Sequence, residues 1–188
     1  LNKAFIDAYE RASDVLGLRK QTTLVGDSLE LMDRQNGKLS NMLESNSLGM
    51  VLIDPPYGDM MSRKKTGDSA RRRRDTSATP FSESSKDLGN LEYDAFLERL
   101  RLSVEKAVYY LRNKRYVVVF AKDLQPMGKN ANITHADIIR ELNKIENIYY
   151  SGMKIWADYT VSLYPYGYPY SFVANQVHQY ILIFQKRD

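Results

Sequence analysis

GMVLIDPPYGDM, residues 49–60, is the stretch on which the fold turns. Four apolar residues, Met50, Val51, Leu52 and Ile53, run directly into Asp54, two prolines and Tyr57. An unbroken apolar run of this length predicts a strand covered on both faces. Proline fixes its own φ and pushes the preceding residue into extended backbone, so Asp54 and Pro55 are both expected to be extended. Neither proline carries an N–H. The corner therefore offers acceptors, the Asp54 carboxylate and the Pro55 carbonyl, with the flat face of Tyr57 beside them. Such a set suits a planar ligand bearing an NH2 group, and a nucleobase with an exocyclic amine answers that description. The plainer alternative is a proline turn closing a strand, with Asp54 as a cap. A Walker B strand is set aside, because the chain has no G-x-x-x-x-G-K-[ST] phosphate loop.

Working outward, residues 3–14 have helical apolar spacing, with Asn2 able to cap them and Gly17 after their end. Residues 22–25, TTLV, predict a short strand. A Gly26-Asp27-Ser28 turn leads from it into helical LELMDRQ, and residues 38–44 are amphipathic. Residues 58–90 change character: they are basic and rich in Ser, Thr and Arg, as in a long loop or insertion. Helical spacing returns from Tyr93 to Arg112, and RYVVVFA (115–121) predicts a second buried strand. Residues 137–145 are helical, with Thr134 as a candidate cap. Residues 147–157 and 178–186 predict two further strands, separated by a Tyr- and Pro-rich loop.

Alternation of this kind predicts one α/β domain spanning 1–188. Its sheet is mostly parallel with helices on both faces, and its last two strands form an antiparallel edge. Ligands of such sheets bind at the carboxyl ends of the strands, so Asp27, Asp54 and Asp123 are expected on one rim.

The chain has 188 residues, 43% of them hydrophobic, enough for a sizeable core. It has no cysteine, which removes disulfides, thiolate metal sites and a cysteine nucleophile. His135 and His178 show no ligand spacing, and no metal is expected. No apolar run is long enough to span a membrane, and the first residues lack an apolar signal region, so the cytosol is the default. Net charge is +4. Its distribution is more telling than its size: Arg63, Lys64, Lys65 and Arg71, Arg72, Arg73 and Arg74 place seven cations in twelve residues against Asp68 alone. That pattern fits a polyanion partner or a solvated loop.

DPPY at the end of an apolar strand resembles the catalytic motif of the S-adenosylmethionine-dependent amino-methyltransferases of DNA, which modify adenine N6 or cytosine N4. LNKAFIDAYERA, VGDSLEL, KDLGNLEYDAFLERL and GYPYSFVANQVHQYILIFQK are similar to further segments of prokaryotic DNA modification methylases, in the same order. The resemblance covers nearly the whole chain. It implies a Rossmann-like methyltransferase fold, S-adenosylmethionine as cofactor, DNA as partner, a prokaryotic cytosol and a place in restriction-modification. It also implies a glycine-rich cofactor loop and an acidic ribose ligand upstream of Leu1, so that the chain is expected to be the larger C-terminal part of a catalytic domain.

Carried onto this sequence, the motif makes Asp54, Pro55, Pro56 and Tyr57 catalytic. Asp54 and the Pro55 carbonyl would accept hydrogen bonds from the amine, localising its lone pair, and Tyr57 would stack on the extruded base. Asp27 would approach the cofactor's adenine, with Ser28 and Asn2 beside the cofactor, and the cations between Arg63 and Arg74 would hold DNA phosphates. Aspartate in the motif leans toward adenine over cytosine. Related enzymes methylate RNA bases or a protein glutamine, and a non-catalytic nucleic-acid-binding domain is a third possibility. For Asp27 a helix cap, for His178 a structural histidine, and for Trp156 core or rim packing are the plainer roles.

Overall fold

The computed structural model describes residues 3–58, 84–123, 133–157 and 178–188. Helix α1 (Lys3–Leu16) comes first, then the single turn α2 (Ser28–Leu31), strand β1 (Leu48–Ile53) and the long helix α3 (Tyr93–Tyr110). Strand β2 (Leu111–Ala121), helix α4 (Thr134–Leu142), strand β3 (Ile148–Ala157) and strand β4 (His178–Lys186) complete the order. Residues 38–41 form a short 3-10 turn where the amphipathic stretch was expected.

The four strands among the described residues form one mixed open sheet in the order β1-β2-β4-β3, with one parallel and two antiparallel pairs, which corrects the expectation of a mostly parallel sheet. β1 runs parallel to β2, with Val51 opposite Val117 and Ile53 opposite Val119. β4 lies between β2 and β3 and is antiparallel to both, so the expected antiparallel pair is present and β3 is the edge strand among the described residues. A register shift follows Leu48, and on the facing strand Lys114 adopts a left-handed φ of 61°.

The core lies on one side of this sheet. Phe96, Leu100, Val104 and Val108 give α3 an apolar stripe at helical spacing, and Ile138 and Leu142 do the same for α4. They close over Val117, Val119, Leu182 and Phe184, all fully buried. Alternation along each strand sends the neighbouring residues to the opposite face. There Met50 and Leu52 are 54% and 59% exposed. The expectation of helices on both faces is thus corrected among the described residues: α3 and α4 share one core cluster on one face. Helix α1 folds back on the segment that follows it, through Leu18 N–H to the Ser13 carbonyl and Gln21 N–H to the Tyr9 hydroxyl.

Two local expectations also change. Residues 22–25 are not a strand. β-branched propensity makes a strand only where a neighbour takes its backbone groups, and β1 already ends the sheet on that side among the described residues. The cap of α4 is Ile133, not Thr134, which is the first helical residue and fully buried. The carboxylate that serves this helix start comes from Asp123, which accepts the His135 N–H at 3.1 Å.

Candidate functional site

The carboxyl end of β1 delivers the corner. The pairing of β1 with β2 ends with Ile53 beside Val119, and Asp54 is the next residue. Ile53 packs against the core and Pro55 is buried, while Asp54 between them is exposed. Alternation therefore directs the Asp54 carboxylate to the open face of the sheet. Pro56 is half-buried, and the Gly58 N–H donates to its carbonyl at 3.3 Å. Gly58 takes a left-handed φ of 55°, and a Cβ there would lie 3.3 Å from the Leu91 carbonyl oxygen. Only glycine lets the chain pass this close to the start of α3.

Tyr57 differs from expectation. It is 6% exposed and belongs to the core cluster with Phe96 and Leu100, so it presents no open ring face in this arrangement. Burial, with the Asp54 charge as the smaller cause, raises its phenol well above the ordinary value of 10.0. Tyr57 is therefore neutral at working pH and acts neither as a base nor as a charge. An aromatic after a stiff corner can face the solvent or the core, and sequence alone does not tell which.

Asp27 caps α2: its Oδ1 accepts the Leu29 N–H at 2.9 Å. Its Oδ2 accepts from the Arg99 guanidinium of α3, and the Lys86 ammonium stands 3.9 Å away. The Ser28 and Ser103 hydroxyls are 3.3 Å apart. Asp27, Ser28, Pro56, Leu88, Arg99 and Ser103 line one cavity of about 330 Å³. The expected cofactor residues Asp27 and Ser28 thus share a wall with the proline corner. Arg99 and Lys86 were not foreseen, since a cation on a helix or in a polar loop carries no sequence signal of its own.

Asp123 follows β2 on the same rim. Both of its carboxylate oxygens lie 2.8 Å from His135 Nδ1. The His135 ring stacks on Tyr180, centroids 4.0 Å apart and planes within 17°, and His178 meets Tyr180 edge-on at 5.0 Å. Burial first, then the Asp123 charge, raises the Tyr180 phenol. His178 is accordingly held in a ring cluster, as a structural histidine would be. No group of three or more potential metal ligands occurs among the described residues. Nor is any described helix long and apolar enough to cross a membrane.

Asn2, the basic run Arg63 to Arg74 and the Tyr-rich loop at 164–172 lie outside the described residues. Their expected roles remain proposals.

No protein-family model and no curated protein matches this sequence. Solved structures do match in shape. One is a protein of Thermus thermophilus named provisionally as a DNA modification methylase, with TM-score 0.54 and 19% identity over 87% of this chain and 53% of that one. Its complex with S-adenosyl-L-methionine matches with TM-score 0.53, again at 19% identity, over 87% of this chain and 52% of that one. The chain spans about half the length of these structures. At this identity the likeness is one of architecture, and the conclusion it supports is that the chain folds like a methyltransferase.

Proposed function

We propose that this chain takes part in methyl transfer from S-adenosylmethionine to the exocyclic amine of a DNA base, adenine N6 ahead of cytosine N4. The observation that carries the reading is the exposed Asp54 carboxylate at the carboxyl end of β1, followed by buried Pro55, in a fold similar to a methylase's.

The amine of a base is a weak nucleophile, because its lone pair is delocalised into the ring. Asp54 and the Pro55 carbonyl accept its two N–H groups, which localises that lone pair and fixes its direction. Orientation of this kind lowers the barrier without a covalent intermediate. As the methyl group moved from the donor's sulfur to the amine nitrogen, exposed Asp54 would take the amine's surplus proton and pass it to water. When bound, S-adenosylmethionine supplies a methyl group made electrophilic by its sulfonium.

The residues present fit the adenosine part of that cofactor. The cavity of about 330 Å³ between α2 and the corner is within the range of small-ligand sites. The Asp27 carboxylate has about four acceptor positions, of which Leu29 and Arg99 use one each, leaving room for an amino group. The proposed cations Arg63, Lys64, Lys65 and Arg71 to Arg74 supply phosphate contacts that offset the cost of extruding a base, a few kcal/mol.

The test is transfer of a radiolabelled methyl from S-adenosylmethionine to genomic DNA, total RNA and a glutamine peptide in parallel, with nucleoside analysis. Label recovered in DNA as N6-methyladenine is expected. Label confined to RNA or peptide, or to no acceptor, refutes the reading.

A further inference from the structure

Helices α3 and α4 are tied to each other by two polar rungs. Tyr93, Leu97 and Arg101 recur at every fourth residue along one face of α3, and Asp137 and Glu141 do so along α4. The Tyr93 hydroxyl donates to Asp137 Oδ2 at 3.0 Å, and the Arg101 guanidinium donates to Glu141 Oε1 at 2.9 Å. The other Asp137 oxygen accepts from Arg140 at 2.7 Å. Along α3 the two rungs are separated by about 12 Å of helix.

The Tyr93 rung stands at the proline corner. A Cβ at Gly58 would lie 3.6 Å from the Tyr93 Cα and 3.6 Å from the Phe96 Cβ, besides the Leu91 carbonyl oxygen. The buried main chain that ends the corner therefore rests on the start of α3. The Tyr93 ring packs against the core, its centroid 6.1 Å from that of Phe96. Burial, with the Asp137 carboxylate adding to it, raises the Tyr93 phenol, so the hydroxyl keeps its proton and remains a donor. Two prolines stiffen the chain between Asp54 and Gly58, so a displacement of Gly58 is transmitted toward Asp54 rather than absorbed on the way. We infer that Tyr93 and Asp137 are positioning residues for methyl transfer: their hydrogen bond sets where α3 begins and, through Gly58, where the Asp54 carboxylate and the Pro55 carbonyl stand. The inference rests on the proposed function. Orientation of the amine is what lowers the barrier there, and a misplacement of about 1 Å can cost about a hundredfold in rate.

The test separates positioning from plain bracing, because the Arg101 rung ties the same two helices away from the corner. The protein, expressed with its whole coding sequence, is assayed well below its unfolding midpoint. Tyr93→Phe and Asp137→Ala should each lower kcat about tenfold and leave KM for DNA within about twofold. Asp137→Asn keeps an oxygen that accepts from the hydroxyl and should restore kcat. The double variant Tyr93→Phe with Asp137→Ala should be no slower than the slower single variant, since both remove one hydrogen bond. Arg101→Met should leave kcat unchanged. A wild-type kcat in Tyr93→Phe, an equal fall in Arg101→Met, or no recovery in Asp137→Asn overturns the positioning role and leaves the proposed function standing. Absence of methyl transfer by the wild type to any acceptor overturns the proposed function and this inference with it.

Discussion

Arg99 on α3 donates to the carboxylate of Asp27, tying the start of α2 to the longest described helix. The Asp27 side chain is 11% exposed, so its charge is held close to the low-dielectric interior. Asp27 does two jobs, cap and ion pair, and they can be separated. Asp27→Asn keeps the cap and loses the charge, while Asp27→Ala loses both. Urea unfolding should place Asn roughly 1 kcal/mol above Ala, the usual worth of an N-cap. Arg99→Met should cost about 1–3 kcal/mol by leaving the carboxylate with the Leu29 N–H and the more distant Lys86. Equal midpoints for Asn and Ala would show that the cap contributes nothing.

Asp54 is the contrasting carboxylate. It is exposed, and the role proposed for it is chemical rather than structural. Asp54→Ala should leave the unfolding midpoint within about 0.5 kcal/mol, as exposed substitutions do. Methyl transfer should fall by about a hundredfold or more, in kcat rather than in KM for DNA, since orientation of the amine is what is lost. A fully active Asp54→Ala variant would refute the acceptor role.

The strand ending on Asp54 and the apolar stripe of α3 were legible because each is a local pattern, a short apolar run and a 3.6-residue period. The misses are matters of distance. Residues 22–25 carry strand propensity, but propensity does not supply a neighbouring strand. Asp123 and His135 are separated by a segment whose course no local rule gives, so their pairing could not be read. Tyr57 was read as an open plate from its chemistry, whereas its place in the buried core cluster decides where its ring lies.

Burial of Tyr57 carries a pH dependence of defined sign. The folded state binds the phenolic proton more tightly than the unfolded chain, whose value is about 10.0. This contribution is whole below pH 10 and is lost as pH rises toward the folded value. Between about pH 10 and 11 the wild type should lose up to about 1.4 kcal/mol relative to Tyr57→Phe, one pKa unit's worth. Urea midpoints of both proteins at about pH 8, 10 and 11 check this, and a constant difference between them would mean that the phenol is not protected. Tyr93, raised mainly by burial, adds a loss of the same sign that is common to both proteins.

Asp123 accepts both the Nδ1–H and the main-chain N–H of His135, so a single carboxylate fixes the ring and starts α4. An acceptor at Nδ1 selects the tautomer with the proton on that nitrogen and leaves Nε2 with its lone pair. Nitrogen NMR of the neutral ring should show Nδ1–H as the main form in the wild type. In Asp123→Ala the free side chain's own preference for the Nε2–H form should return, because no acceptor then holds the proton on Nδ1. The same substitution removes a helix-start acceptor and should cost about 1–2 kcal/mol. Asp123→Asn separates the two effects: its amide oxygen still takes one of the N–H groups but carries no charge, so the loss should be about half. A wild-type ring with its proton on Nε2 would break the assignment, since the carboxylate would then face a bare nitrogen at 2.8 Å from each of its oxygens.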